Sequence, residues 1–166
     1  MGVNDCRGFS LRRKGAPPTF AWSLMKETGM PTPTVQEALI YLMVVTSASD
    51  RDMTDAELGR IGDVVRSWPV FEEFDDRRLV GVAQDCQKLL HEPEGLDGVY
   101  ELAARIIPER LHDTAYAVAL EVAAVDLEMR LEEVRVLQLL RRSLGLDDTT
   151  GTAIERAAKA RHRTLT

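Results

Sequence analysis

The stretch SDRDMTDAE (Ser49–Glu57) has a counterpart later in the chain, VDLEMRLEE (Val125–Glu133). Both follow the frame D-x-[D/E]-M-x-x-x-E, which pairs Asp50 with Glu57 and, 76 positions on, Asp126 with Glu133. Each acidic corner interrupts a helical pattern. Ahead of the first lies ALIYLMVV (Ala38–Val45), too short to span a bilayer and long enough for a core helix. Behind it Thr54 and Glu57 spell a capping box, and Leu58, Ile61, Val65 and Trp68 recur on one helical face until Pro69 ends the segment.

The same reading extends along the rest of the chain. Val35 to about Ser49 forms a first helix, and Thr54 to Trp68 a second. Phe71 and Phe74 lead into a third over roughly Asp75–His91, with the stripe Leu79, Val82, Cys86, Leu89 and Leu90. A fourth runs from about Leu96 to Ile107, and Pro108 opens a fifth that is rich in Ala and Val on most faces, as a central helix should be. A sixth follows the second corner with Leu131, Val134, Leu137, Leu140 and Leu144 and stops at Gly145. A basic seventh covers roughly Thr152–Arg163. No segment alternates as a strand does. The expected fold is an all-α, single-domain bundle of about seven helices. At the 76-residue offset Leu58 falls opposite Val134, Ile61 opposite Leu137, Val64 opposite Leu140 and Arg66 opposite Arg142, so two pseudo-repeated helical hairpins are expected.

Residues 1–34 read differently. Arg7, Arg12, Arg13, Lys14 and Lys26 outnumber Asp5 and Glu27, and Gly and Pro break every period, which predicts a flexible N-terminal arm ahead of a helical domain over 35–166. Phe9, Leu11, Phe20 and Trp22 beside those basic residues offer a second reading, contact with a membrane surface or a partner. The plainer reading, an unstructured leader, carries more weight. MPTPTVQEALI from Met30 also reads as a natural start.

Charge and composition exclude several function classes. A net charge of −6 and a pI near 5.1 oppose nucleic-acid binding, which needs a concentrated basic footprint. The two cysteines, Cys6 and Cys86, form no C-x-x-C or Cys/His cluster, and no export signal is read, so a reducing, cytoplasmic setting is expected. His91, His112 and His162 are scattered and read as surface or packing residues. No phosphate loop, G-x-S-x-G elbow or H-E-x-x-H motif occurs, and no enzyme is expected.

Oxygen-rich corners suit hard divalent cations such as Ca²⁺, Mg²⁺ or Mn²⁺. An EF-hand is excluded, because counting from Asp50 places Ile61 where the bidentate Glu belongs. The competing reading is helix capping: Glu57 completes the box begun by Thr54. In the second corner Arg130 stands where Thr54 does and cannot play that part, yet Glu133 is kept.

ASDRDMTDAEL and AVDLEMRLEEV, each between helices of an all-α chain, resemble the paired acidic signatures of the TerB-like tellurite-resistance family over roughly Val35–Asp148. The resemblance implies a fold with two related halves, a role in tellurite and chemical-stress resistance, protein partners in a stress-response complex, and divalent metal bound through Asp50, Glu57, Asp126 and Glu133. Arg51 and Leu127 follow the two Asp residues, where the family often has Gly. The alternative is a protein-interaction scaffold without metal, using the groove between the two halves.

Overall fold

The computed structural model describes residues 20–47, 53–123 and 131–165. Among these the chain is all-α: α1 (Phe20–Thr28), α2 (Val35–Ser47), α3 (Asp55–Ser67), α4 (Leu79–Leu90), α5 (Gly95–Ile106), α6 (His112–Ala123), α7 (Leu131–Ser143) and α8 (Asp148–Arg161), with short 3-10 turns at Pro69–Phe71, Asp76–Arg78 and Glu109–Leu111. No strand occurs among the described residues.

The centre of the bundle is the pair α2 and α6. Every residue from Glu37 to Ser47 is buried, as expected of a helix apolar on all sides, and α2 packs against α6, α5, α4, α3 and α7. In α6 small residues permit close approach, and Ala115, Val118, Ala119 and Val122 are all almost fully enclosed. Around this pair α3 and α7 pack on α6 from the first and second halves of the sequence, and α8 covers its outer face.

Helix ends follow local chemistry. Thr34 accepts a hydrogen bond from the Glu37 N–H at 3.2 Å while the Glu37 carboxylate accepts one from the Thr34 N–H at 2.8 Å, a capping box at the start of α2. Gly145, with φ of 65°, closes α7 in the left-handed conformation: its N–H reaches the Arg142 carbonyl at 3.0 Å and the Leu146 N–H reaches that of Arg141 at 3.1 Å. Asp147 then caps α8 by accepting from the Thr150 N–H at 2.9 Å, so that helix starts earlier than the apolar pattern indicates.

Two expectations are revised. An eighth helix, α1, lies inside the segment expected to be arm. Its Met25 is only 4% exposed and it packs on α5, with Trp22 and Leu24 against the core. Nine residues cannot sustain a helix alone, so this docking is what holds α1. The break at the third helix is also longer than expected, because Pro69 and the Asp75 cap divide the chain between α3 and α4 into 3-10 turns.

Candidate functional site

The first acidic corner joins α2 to α3. At the end of α2 the Thr46 hydroxyl donates to the Leu42 carbonyl at 2.7 Å, which occupies a carbonyl near the helix end. Asp50 lies outside the described residues. Beyond it Met53 packs on the core, and Thr54 adopts the extended conformation of an N-cap, with φ of −81° and ψ of 159°. Glu57 folds back over this start: one carboxylate oxygen accepts from the Thr54 N–H at 2.7 Å and from its hydroxyl at 2.9 Å, while the Glu57 N–H donates to the Thr54 oxygen at 3.3 Å. The capping role read from the sequence is therefore filled. A carboxylate offers about four lone-pair sites, so two donors leave acceptor capacity for a cation.

The second corner joins α6 to α7. Asp126 lies outside the described residues, and Glu133 is placed by its backbone alone, within α7. Of the four expected ligands, only Glu57 has a described side chain. Among the described residues no group of three or more His, Cys, Asp or Glu is placed to hold a metal ion.

The histidines fit the packing reading. His91 is exposed, with Nδ1 at 2.6 Å from the Gln87 carbonyl, and His112 is buried between two backbone carbonyls. His162 sits 3.1 Å from Glu121, whose other oxygen accepts from Arg161 at 2.8 Å. Cys86 is enclosed in the core, and burial pushes its thiol well above the ordinary cysteine range, away from reactive thiolate.

One surface feature was only partly legible in the sequence, through Trp68, Phe71 and Phe74. The C-terminal end of α3 and the 3-10 turns after it form an open cleft of about 570 Å³, lined by Trp68, Phe71 and Phe74 and edged by Glu72 and Asp76. The aromatic triplet reads as core or groove edge, and it proves to be both: Phe71 is buried, while Trp68 and Phe74 are half-exposed and Phe74 meets Phe71 edge-on at 6.4 Å. The cleft belongs to the first half of the chain. No family model, curated protein or solved structure matches this chain.

Proposed function

We propose that this chain is a TerB-like, non-enzymatic module that holds a divalent cation at its paired acidic corners and serves in a cytoplasmic response to metal or oxidant stress. One observation carries the reading: the helices that follow the two corners match in their C-terminal ends and buried faces at the offset that relates the corners. α3 ends at Ser67 and α7 at Ser143, 76 residues apart. The matched faces are also alike in burial: Ile61 and Leu137, and Val64 and Leu140, all lie in the core.

In this reading Asp50, Glu57, Asp126 and Glu133 would hold the ion. A bound cation would supply the positive charge that lets several carboxylates share a small volume at neutral pH. Glu57 suits that part because its carboxylate is held at the helix start by Thr54. The same box favours a second reading, in which the corners only begin helices and the module is an interaction scaffold.

Calorimetric titration of Ca²⁺, Mg²⁺ and Mn²⁺ into chelator-stripped protein separates the two. The cation reading expects saturable binding, a metal-dependent rise in melting temperature, and loss of that rise in Glu133→Gln. No heat with any of the three ions, or an equal rise in parent and variant, decides for the scaffold.

A further inference from the structure

We propose that the cleft at the end of α3 binds a basic peptide segment of a partner protein, with Lys or Arg side chains against Glu72, Glu73 and Asp76 and intervening apolar side chains on Trp68 and Phe74. The proposal is independent of the cation reading, since the cleft shares no residue with the acidic corners.

Charge accounting around the cleft identifies the occupant. Arg66, which also lines the cleft, is paired with Asp63 at 2.6 Å, Arg77 with Asp75 at 3.0 Å, and Arg78 with the buried Glu37. These pairings neutralise every arginine between positions 66 and 78. Among the described residues no ion pair holds Glu72, Glu73 or Asp76, and all three are exposed. The rim therefore carries uncompensated negative charge beside an aromatic wall. A cation on a short apolar segment satisfies both features. Anionic ligands, nucleic acid and acidic lipid surfaces are repelled by the same rim.

The walls are held in place before any ligand arrives. The Gln36 side-chain amide donates to the Val70 carbonyl at 3.0 Å, and successive turns bond Phe71 to Trp68, Glu72 to Pro69 and Phe74 to Phe71 at 2.8–3.1 Å. The Arg78 bond to Glu37 ties the far side of the loop to the start of α2. A preformed cleft spares the ordering cost of binding. Trp68 already accepts a guanidinium, that of Arg161, at 5.7 Å from its ring centroid. The cleft is open and of mixed polarity, which suits an extended chain more than an enclosed small molecule.

The test uses the full chain with Trp22→Phe, which leaves Trp68 as the sole indole. The probe is a fluorescein-labelled ten-residue peptide alternating Arg or Lys with Leu and Pro; its control has Glu at each basic position. Saturable anisotropy with a parallel change in Trp68 emission is expected for the basic probe alone. Affinity should fall roughly tenfold in the Glu72→Gln/Glu73→Gln/Asp76→Asn variant, as loss of several exposed charge contacts requires, and also with added salt. Phe74→Ala should weaken it as well, and the melting curve of the charge variant should match the parent's. Absence of saturation into the millimolar range, equal binding of the acidic control, or full affinity in the charge variant overturns the proposal. A Trp68 signal that follows protein concentration without probe assigns the cleft to a second copy and overturns it equally.

Discussion

His112 Nδ1 lies 2.8 Å from the carbonyl oxygen of Leu144, although the two residues are 32 positions apart. The other ring nitrogen is 3.0 Å from the Ile107 carbonyl. Ile107 is the C-cap of α5 and Leu144 follows the last residue of α7, so both carbonyls belong to helix ends that their own helices leave unsatisfied. One buried ring at the start of α6 thus joins the ends of two other helices.

Replacing that ring should be costly. His112→Ala removes the ring that meets two helix ends and leaves a void, and a fall in unfolding free energy of about 2–4 kcal/mol is expected from a lost buried hydrogen bond and lost packing. Urea denaturation measures it. A loss below about 0.5 kcal/mol would mean that water replaces the ring without penalty.

Gly95 and Gly81 should respond in opposite directions to alanine. A Cβ on Gly95 would stand 2.1 Å from the Leu89 carbonyl oxygen and 2.7 Å from the Leu90 Cα, backbone atoms that can yield only if the α4–α5 turn opens. Gly95→Ala should destabilise the chain by roughly 2–4 kcal/mol through this overpacking. At Gly81, on the exposed side of α4, a Cβ meets nothing within 4 Å. Gly81→Ala should stabilise by about 0.5–1 kcal/mol through helix propensity. Thermal melts of the two variants on either side of the parent would confirm the assignment.

The contribution of α1 can be read from Met25. Its burial against the core in a helix of nine residues predicts that Met25→Ala costs about 2 kcal/mol, a drop of several degrees in melting temperature. An unchanged melt would mean that α1 docks without adding stability.

Legibility in the sequence tracked the kind of interaction involved. Long amphipathic stripes such as Leu58–Ile61–Val65 announced their helices, because a 3.6-residue period survives any tertiary context. The Thr54 box was also readable, since donor and acceptor sit three residues apart. The segment Phe20–Thr28 was not. Its helix depends on contacts with α5, far away in sequence, and neighbouring Gly and Pro mask its short period. The cleft was equally hidden: Trp68, Phe71 and Phe74 are visible in the sequence, but which acids keep their charge free depends on where Arg66, Arg77 and Arg78 find partners. Of the candidate cation ligands, Glu57 alone has a described side chain. Asp50 and Asp126 lie outside the described residues, as does the side chain of Glu133.

The Asp147 cap makes part of the acid sensitivity assignable. The Thr150 N–H and hydroxyl both donate to its carboxylate and hold its pKa below the ordinary value of 3.8. A carboxyl whose folded value is depressed contributes stability above its unfolded value and loses it as the pH falls through the folded one. Asp147→Asn still caps but does not titrate. The parent should lose more stability than the variant as the pH falls below about 4, as measured by urea denaturation across pH. Parallel curves would place the acid sensitivity elsewhere.

Thr54 and Glu57 offer the sharpest separation of the two roles of the first corner. As a cap, Thr54 matters more, because its oxygen meets the Glu57 N–H and its own N–H and hydroxyl meet the Glu57 carboxylate. Thr54→Ala should therefore cost about 1 kcal/mol in chelator-treated protein, and Glu57→Gln, whose amide oxygen can still accept from Thr54, distinctly less. As a cation ligand Glu57 matters more, because the glutamine lacks the charge while Thr54→Ala leaves the carboxylate in place. With Ca²⁺, Mg²⁺ or Mn²⁺ added, Thr54→Ala should keep the metal-dependent rise in melting temperature and Glu57→Gln should lose most of it. The order of the two variants would then reverse between metal-free and metal-loaded protein. If Thr54→Ala remains the more damaged under both conditions, with equal responses to metal, Glu57 serves α3 as a cap and nothing more.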